Sequence, residues 1–468
     1  MSNTKWPPGP PGLPIVGSLF EFRRDPTGFS LRIAREYGDA AYFRLGRQHA
    51  VQLNHPDLIR DVLVTNHRQF QKGRGLGFAE LIFGNGLVCS EGEFHLRQRR
   101  LIQPAFHRER LAAHVPGVLQ AAVVAGRRWR AGQTLDMFNE MMHVTASVAA
   151  KALFSSDVDA EYKQVAQDLT IIFEFLDPRT VPFARVVSKL PTPSRGRFLA
   201  ARQRLDALIY GLIRSRRASG GKCSDLLGML LSAQDNEGDG LGMSDKQVRD
   251  EAMTMFLAGH ETTATALTWT WYLLAQHPLV EKRLHEELDT VLGGRLPTFA
   301  DLERLSYTRM VIAESMRLYP PIWLITRRAL RDYSFAEWLV PAGTSIGMSQ
   351  YVMHRDRRYY PDPDRFDPMR WTEDEVAKRP KYSYFPFGGG LRLCIGEPLA
   401  WMEAMLILAT LCPTWQVRIA PGFEPRLQAL IGLRPRGGMP MRLERRSDAQ
   451  RHFAKPIPSA PRALDQPA

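Results

Sequence analysis

The longest uninterrupted helical pattern in the sequence covers residues 244–276, and it constrains the possible folds more than any other segment. It opens with Ser244 and Gln247 in the spacing of a capping box, and no proline follows before Pro278. A helix of about 33 residues extends for roughly 50 Å. Because apolar residues fall on most of its faces, we expect this helix to run through the middle of the protein.

The rest of the chain combines helical and extended patterns. Residues 41–54 predict two strands around a turn, and short strands are expected again over residues 333–353. Helical periodicity dominates from about residue 95 to about residue 330 and returns over residues 398–412. These patterns predict a mainly α-helical fold with a smaller β-rich lobe, and the elements interleave too closely for an obvious domain boundary.

Bulk composition narrows the class of protein. Hydrophobic residues make up 44% of the chain, which suffices for a substantial core. No apolar run approaches the roughly 18 residues that span a bilayer, and the prolines near the N-terminus would interrupt a signal-peptide core. We therefore expect a cytoplasmic protein without a transmembrane anchor.

The cysteines and the net charge restrict the possible partners. The four cysteines form no CxxC pair, which argues against a zinc or iron–sulfur site and fits a reducing compartment. The net charge is +13, but no nucleic-acid-binding motif accompanies it. An acidic protein partner explains this charge at least as well, and we expect no binding of nucleic acid.

The segment FPFGGGLRLCIG, residues 385–396, places a single cysteine at the end of a glycine-rich loop. Successive glycines allow backbone N–H groups to approach the sulfur of Cys394, and the following helix adds a positive N-terminal dipole at Ile395–Gly396. Phe387 could shield one side. A thiolate stabilised in this way is a strong metal ligand. The alternative is a glycine-rich turn around an ordinary buried cysteine.

Three further segments carry polar residues in specific spacings. Ala258–Gly259–His260–Glu261–Thr262–Thr263 lies midway along the long helix, where Thr262 can bond back to the carbonyl four residues earlier and Glu261 can feed a proton relay. His95 and Arg99 lie one helical turn apart, as do Glu314 and Arg317. Taken singly, each has an ordinary alternative: a polar notch in a core helix, a solvated basic face or a routine ion pair.

Together these segments resemble the cytochrome P-450 family of haem-thiolate enzymes. The resemblance runs from near residue 7 to about residue 440, and the motifs follow the family's order: H-x-x-x-R, A-G-x-E-T-T, E-x-x-R, P-x-R-F and the cysteine loop. It implies a cytochrome P-450 fold in one large domain over residues 7–445. A proline-rich entry segment over residues 1–15 and a disordered tail over residues 446–468 would flank that domain.

The resemblance also implies a cofactor, haem b (iron protoporphyrin IX), and residues that hold it. Cys394 would be the axial ligand of the iron and Arg392 a partner of a haem propionate. His95 and Arg99 would hold a propionate from one turn of helix, although the family more often has tryptophan at the first of these positions. Another propionate arginine is expected at Arg327, with the adjacent Arg328 as the alternative. Ala258, Phe387 and Gly396 complete the expected cofactor contacts.

Two further roles follow from the resemblance. Glu261 and Thr262 would form the oxygen-activation pair, while His260 would be a bystander, because a second protein ligand would block the oxygen site. The Glu314–Arg317 pair would close a buried triad with Arg365 of the P-x-R-F segment, where Pro363 and Phe366 also match. This triad would hold the cysteine loop against the helical core.

The activity implied is monooxygenation, in which one atom of the co-substrate O2 enters a hydrophobic small molecule such as a terpene, fatty acid or steroid. No flavin- or nicotinamide-binding segment is visible, so we expect a separate ferredoxin- or flavodoxin-type electron donor with its NAD(P)H reductase. Arg100 and Arg108 would belong to a solvated basic face where an acidic donor could dock. Candidate pocket residues are Phe78, Leu81, Phe83, Phe173, Phe175, Leu257, Ala258, Ile322–Ile325 and Leu430–Leu433, and plain core packing is the alternative for each.

Two rival functions remain open at this point. One is a haem-thiolate peroxygenase or isomerase, which would not need the acid–threonine pair. The other is a non-catalytic haem protein for gas sensing or electron transfer, which would not need a long central helix with a polar notch.

Overall fold

The computed structural model describes residues 5–73, 79–154, 192–218, 225–235 and 240–446, together with 164–165, 167–168, 171–172, 175 and 238. The tail predicted to be disordered lies outside these residues, except for residue 446 at its start, as do the candidate pocket residues Phe78 and Phe173. Among the described residues, no helix combines the length and hydropathy that a bilayer crossing requires.

Helices form most of the described structure. Those before the central helix are α1 (Leu19–Arg24), α2 (Pro26–Tyr37), α3 (Pro56–Arg60), α4 (Glu80–Phe83), α5 (Gly92–Ile102), α6 (Arg108–Arg128), α7 (Met137–Phe154), α8 (Pro193–Ala218) and α9 (Leu226–Ser232). The central helix and those that follow it are α10 (Asp245–Gln276), α11 (Pro278–Leu292), α12 (Ser306–Leu318), α13 (Gln350–Met353), α14 (Glu373–Ala377) and α15 (Glu397–Leu411).

The central helix α10 has the bounds that the sequence predicts. It spans 32 residues, and both hydrogen bonds of the capping box are present between Ser244 and Gln247. Helix α7 packs along it more extensively than any other described element, and α12 and α15 also contact it. Because buried residues occur on all its sides, this helix is the axis around which the helical core is built.

The β-rich lobe contains a five-stranded sheet of order β1-β2-β8-β5-β3. The two strands predicted around residues 41–54 are confirmed as β1 (Ala40–Leu45) and β2 (Gln48–Leu53). The sheet is completed by β3 (Phe70–Lys72), β5 (Ile325–Ala329) and β8 (Ser345–Met348). The short strands near residues 41–72 therefore lie beside strands that follow helix α12 in the chain.

Smaller sheets complete the β structure. Three strands, β4 (Thr134–Asp136), β12 (Pro440–Arg445) and β9 (Trp415–Ile419), form one sheet in that order. Two hairpins pair β6 (Tyr333–Phe335) with β7 (Trp338–Val340) and β10 (Leu427–Ala429) with β11 (Leu433–Pro435). The short strands expected over residues 333–353 are found in β6, β7 and β8, although the last four of those residues form helix α13.

One boundary prediction was wrong. Helical structure does not continue to about residue 330, because α12 ends at Leu318 and strand β5 begins at Ile325. Pro320 and Pro321 follow after Tyr319. Proline lacks the N–H group that a helix needs and disfavours the helical conformation of the residue before it. The predicted helix near residues 398–412 is confirmed as α15.

A buried ion pair on α12 connects this helix to the segment that precedes the cysteine loop. Arg317 and Glu314 are both fully buried, and Arg317 Nε lies 2.8 Å from Glu314 Oε2. Arg317 also donates to the carbonyl oxygens of His354 (2.8 Å) and Pro363 (2.6 Å). These hydrogen bonds satisfy the guanidinium, so the pair holds residues 354–371 against α12.

The prediction that Arg365 completes this triad with its side chain was wrong. The Arg365 side chain is 68% exposed, and only its backbone carbonyl accepts from Arg317. The second cation beside Glu314 is Arg370, whose Nε lies 3.4 Å from Glu314 Oε1. A 3-10 turn over Pro368–Trp371 brings Arg370 to the carboxylate and also lets Trp371 Nε1 donate to it at 2.9 Å.

Candidate active site

The cysteine loop is held in place by contacts on both sides. The N–H group of Cys394 donates to the carbonyl of Phe387 at 3.0 Å, which closes the loop on itself. Gly390 has a φ of +66°, and a β-carbon there would lie 2.0 Å from the carbonyl oxygen of Leu63. Glycine is therefore required at residue 390 for conformation and for space, since the loop packs directly on the backbone of the N-terminal lobe.

The thiol of Cys394 lies at the N-terminal end of α15. It has accessible surface, yet the protein around it is dense enough that burial raises its pKa. The thiol is therefore surrounded by protein while part of its surface stays accessible. Hydrogen bonds from the backbone N–H groups of Gly396 and Glu397 and the charge of Arg99 act in the opposite direction on the pKa. They are the features that stabilise a thiolate.

Aromatic residues surround the loop. The ring of Phe387 packs 6.0 Å from that of Trp401 on α15, so it covers the start of this helix. A β-carbon at Gly396 would lie 3.8 Å from the ring of Phe106 and 3.9 Å from the sulfur of Cys394. Phe106 is therefore a neighbour of the thiol, although sequence reasoning did not identify it.

One face of the central helix differs from the rest of its middle section. Met255, Ala258, Gly259 and Thr262 are partly accessible and recur at spacings of three and four residues, whereas Phe256, Leu257, His260 and Thr263 are buried. A β-carbon at Gly259 would meet no described atom within 4 Å outside the backbone of its own helix. This face therefore borders open space rather than packed side chains.

The predicted back-bond of Thr262 is present. Its hydroxyl donates to the carbonyl of Ala258 at 2.7 Å, and the hydroxyl of Thr263 donates to the carbonyl of Gly259 at 3.0 Å. Two adjacent carbonyls of one helical turn therefore each accept a hydrogen bond from a side-chain hydroxyl. Thr262 is partly accessible on the open face, and its hydroxyl oxygen can also accept a hydrogen bond.

Glu261 is nearly enclosed, with a side chain only 13% exposed. Burial raises the pKa of its carboxyl, and the charge of Arg434 on β11 opposes that rise. Arg434 Nη1 lies 3.9 Å from Glu261 Oε1. Sequence reasoning did not identify this arginine, because it follows the cysteine loop and belongs to no motif in the chain.

His260 lies on another face of the central helix. Its Nδ1 lies 2.9 Å from the carbonyl oxygen of Phe256, and its own carbonyl accepts from Thr145 of α7 at 2.8 Å. Burial lowers its pKa to about 4, so the ring is neutral near pH 7. This placement against α7 agrees with the expectation that His260 is a bystander.

A cluster of basic side chains lies between the β-rich lobe and the cysteine loop. We call it the cation cluster, and its members are Lys72, His95, Arg99, Arg327 and Arg392. Arg392 forms an ion pair with Glu91 and donates to the carbonyl of Ser90 at 2.9 Å. Arg99 donates to the carbonyl of Leu393 at 2.8 Å, and so it contacts the loop beside the thiol.

Lys72 was not identified from the sequence. It pairs across strands with Arg327 in the β3–β5 register, so two cations stand directly opposite each other. Its Nζ donates to the carbonyls of Leu87 (3.0 Å) and Ser90 (2.8 Å), and its backbone N–H donates to Glu91 Oε1 at 2.6 Å. No local pattern marks Lys72, since only the pairing of distant strands brings it to the cluster.

The cluster carries excess positive charge. Burial and the neighbouring cation Arg392 lower the pKa of Lys72 to about 7 and that of Arg327 to about 10. Burial, followed by the charges of the other four members of the cluster, lowers the pKa of His95 to about 3. Glu91 is the carboxylate that raises the pKa values of Lys72 and Arg327, and one carboxylate cannot balance the cluster. Like charges directly opposite across a strand pair are destabilising, so an anionic partner is needed.

This donor set fits a haem. Its two propionates would balance the cation cluster, and the thiol of Cys394 would supply the iron ligand. Arg327 rather than Arg328 belongs to the cluster, because successive side chains of a strand point to opposite faces of the sheet. A β-carbon at Gly388 would lie 3.3 Å from Cδ1 of Ile325, so the first residue of β5 also faces the cysteine loop.

The candidate pocket residues that the structure describes divide into three groups. Phe83, Phe175, Leu257, Trp323 and Leu433 are buried in the core, and Phe175 stacks on Phe198 with ring centroids 4.3 Å apart. Leu81 and Ile431 are exposed. The residues that stay partly accessible are Ala258, Ile322, Leu324, Ile325 and Leu430.

Arg100 and Arg108 were expected on a solvated basic face. Arg100 pairs with the buried Asp235 at 3.0 Å, so it also has a structural contact. Arg108 is 70% exposed and pairs with Glu303.

Comparisons with known proteins agree with these features. The family model described as Cytochrome P450 matches residues 7–437. The chain is 41% identical over 414 residues to cyclooctat-9-en-7-ol 5-monooxygenase of Streptomyces melanosporofaciens, covering 88% of this chain and 90% of that protein. It is 35% identical over 445 residues to pentalenene oxygenase of Streptomyces avermitilis, covering 94% of this chain and 98% of that protein.

A solved structure has the same fold. The crystal structure of the cytochrome P450DA heme domain matches with a TM-score of 0.85 at 25% identity, covering 95% of this chain and 99% of that one.

Proposed function

Because this chain belongs to the cytochrome P450 family and is a monooxygenase, we propose that it inserts one oxygen atom of O2 into a terpenoid at a haem b ligated by Cys394. The observation that carries this proposal is the position of the Cys394 thiol. It lies at the start of α15 beside two backbone N–H groups and next to a cation cluster with too few carboxylates.

The haem b would be held from two directions. Cys394 would bind its iron, and Arg392, Arg327, His95 and Lys72 would hold its propionates, while Arg99 fixes the loop through the carbonyl of Leu393. Phe387 and Gly396 would contact it on the thiol side, and Ala258 would contact it from the central helix. When bound, the haem supplies the redox chemistry that activates dioxygen and transfers one oxygen atom to the substrate.

Thr262 and Glu261 of this chain transfer protons to the site of oxygen activation. The Thr262 hydroxyl, held by the carbonyl of Ala258, presents its oxygen to the open face of the helix. Glu261, on the same turn, takes up protons on the side of β11 and releases them toward Thr262 on the open face. Burial raises the pKa of its carboxyl above that of an exposed carboxyl, as proton transfer near neutral pH requires. His260 is neutral and faces α7, so it takes no part.

The proposed substrate class rests on the names of the relatives and on the candidate pocket residues that stay partly accessible. The names of two relatives refer to cyclooctat-9-en-7-ol and to pentalenene, which favours a terpenoid over a fatty acid or a steroid. The accessible residues Ile322, Leu324, Ile325 and Leu430 are aliphatic. Aliphatic side chains of this kind bind a hydrocarbon skeleton by burying its apolar surface.

Electrons would come from a separate ferredoxin- or flavodoxin-type donor with its NAD(P)H reductase. The exposed Arg309 lies beside α15, where it stacks on Trp401 at 4.6 Å. The exposed Arg108 lies over Phe299 at 5.4 Å, in a 3-10 turn that contacts α15. Together with the net charge of +13, they favour an acidic donor on the thiol side. The cytoplasmic location expected from the sequence stays a prediction.

The proposal is tested first by spectroscopy. The reduced protein with carbon monoxide should show the thiolate-type spectrum, and Cys394→Ala should abolish it, whereas Cys412→Ala, which alters a fully enclosed cysteine, should retain it. A spectral titration with terpenoids, fatty acids and steroids should show the water-displacement shift with terpenoids at the lowest concentration. A nitrogen-type spectrum or a preference for another class would contradict the respective part of the proposal.

Turnover then separates monooxygenation from the rival functions. Product should form with O2, NAD(P)H and a donor pair, and Thr262→Ala should keep its haem but release reducing equivalents as hydrogen peroxide. Product formation with peroxide alone, at a rate that O2 and donor cannot match, would favour a peroxygenase instead.

A further inference from the structure

The hairpin of β10 and β11 is fixed to the centre of the molecule by two indole groups. Trp269 of the central helix donates from Nε1 to the carbonyl of Leu433 at 2.8 Å, and its ring stacks on Tyr319 with centroids 4.1 Å apart. Trp323 donates from Nε1 to the carbonyl of Leu430 at 2.9 Å. The N–H group of Leu433 donates to the carbonyl of Pro321 at 2.9 Å. The hairpin therefore has little freedom to move relative to the central helix.

This anchoring brings a cation to the acid of the central helix. Arg434 follows Leu433 directly, and its guanidinium lies 3.9 Å from Glu261 Oε1. Its Nε donates to Gln428 across the hairpin at 3.3 Å, which orients the side chain. A β-carbon at Gly432 would lie 3.6 Å from Glu261 Oε1, so the hairpin backbone also approaches the carboxylate closely.

The other charged groups near this turn face elsewhere. His260 is neutral near pH 7 and packs against α7. On α12, Glu314 and Arg317 neutralise each other and bond to residues 354–371. Among the described residues, Arg434 is the charged group that acts on the ionisation of Glu261.

We propose that Arg434 is a positioning residue that holds the Glu261 side chain toward the β10–β11 hairpin and keeps it ionised between proton transfers. The guanidinium stabilises the carboxylate in surroundings where burial favours the neutral acid. The loose separation allows Glu261 to leave Arg434 when it carries a proton and to return after releasing it toward Thr262. This inference rests on the proposed function, in which Glu261 passes protons to the site of oxygen activation.

The first test observes Glu261 directly. The infrared band of its carboxyl group, identified as the band that Glu261→Gln removes, is titrated with pH in the holoprotein. Arg434→Gln should move the midpoint to higher pH by about one unit, because loss of the cation leaves burial unopposed. Arg434→Lys should stay near the wild-type midpoint. The matched control is Arg436→Gln, which removes the same charge from an exposed position just after the same hairpin.

The second test measures coupled turnover against pH. If product formation requires the Glu261 carboxylate, the rate of coupled turnover rises with pH, and this rise should shift together with the infrared midpoint. At a pH below the midpoint, an upward shift of about one unit lowers the ionised fraction of Glu261 about tenfold. Arg434→Gln should therefore lose product and gain peroxide at low pH and recover at high pH. A simple structural defect would lower activity at every pH.

Each outcome decides the inference. An infrared midpoint in Arg434→Gln equal to that in Arg436→Gln overturns it, as does a change confined to the spectral dissociation constant of the substrate. A wild-type protein from which Glu261→Gln removes no titrating band also overturns it. If the infrared midpoint shifts while no substrate is oxygenated by any variant, the proposed function fails and the placement of Arg434 stands.

Discussion

Two groups of charged side chains, one around Glu314 and one in the cation cluster, differ in charge balance. Around Glu314, the carboxylate accepts from Arg317, from Trp371 and from the N–H group of Asp367, and the guanidinium of Arg317 donates to three carbonyls. In the cation cluster, basic side chains depress one another's pKa values and share one carboxylate. The first group is complete within the chain, whereas the second needs an anionic partner.

The difference separates a scaffold from a binding site by a physical criterion. A buried ion pair whose hydrogen bonds are all made contributes to the structure without any ligand. A buried group with uncompensated charge is costly until a ligand supplies the opposite charge. Substitutions in the first group should therefore affect folding, and substitutions in the second should affect retention of the cofactor.

The largest effect is expected in the balanced group. Arg317→Leu removes the guanidinium that pairs with the buried carboxylate of Glu314 and leaves Arg370 as its neighbouring cation. Loss of one partner of a buried pair costs about 3 to 5 kcal/mol. We expect little folded holoprotein and a strongly lowered thermal midpoint. Arg365→Leu, at an exposed position of the sequence motif, should leave the midpoint nearly unchanged. Equal losses in the two variants would contradict the assignment of Arg365 as peripheral.

An intermediate effect is expected in the cation cluster. Arg327→Gln removes a charged donor that would bond to a propionate, worth about 1.5 to 3 kcal/mol, which corresponds to about 10- to 150-fold faster loss of haem. The rate is measured by transfer of haem to an excess of a haem-scavenging protein. Arg328→Gln, on the opposite face of the same strand, is the control and should keep the wild-type rate. A similar acceleration in both variants would remove Arg327 from the site.

The smallest effect concerns pH. The pKa of Lys72 is lowered to about 7 by burial and by Arg392, and an anionic partner raises it again. Haem affinity should therefore be full below about pH 7 and fall severalfold as the pH rises through that value. Lys72→Met should bind haem more weakly and lose this pH dependence, as haem-transfer rates between pH 6 and 9 would show. If haem affinity still falls with rising pH in Lys72→Met, another titrating group causes the pH dependence.

The sequence allowed prediction of the elements whose signals are local. The central helix carries its own cap at Ser244 and Gln247, and the first two strands alternate around a turn, so both were predicted with nearly correct bounds. The back-bond of Thr262 follows from helix geometry alone. The grouping of Cys394, Arg392 and Arg327 was predicted by resemblance to a family rather than by any local rule.

Contacts between distant segments could not be predicted in this way. Lys72 reaches the cation cluster only because β3 pairs with β5. Arg434 reaches Glu261 only because Trp269 and Trp323 hold the hairpin of β10 and β11. Arg370 stands in the place expected for Arg365 because a short 3-10 turn brings Arg370 and Trp371 to Glu314. Each depends on a tertiary arrangement that no spacing along the chain encodes.

The close approach of Gly390 to the carbonyl of Leu63 has a consequence for biosynthesis. The N-terminal lobe leaves the ribosome early, but the loop that covers it is translated only after most of the chain. Contacts of such large sequence separation form late in folding. The part of the nascent lobe that contacts this loop therefore stays uncovered for much of translation, and chaperone supply during expression should influence the yield of mature protein more than it would for a chain with local contacts.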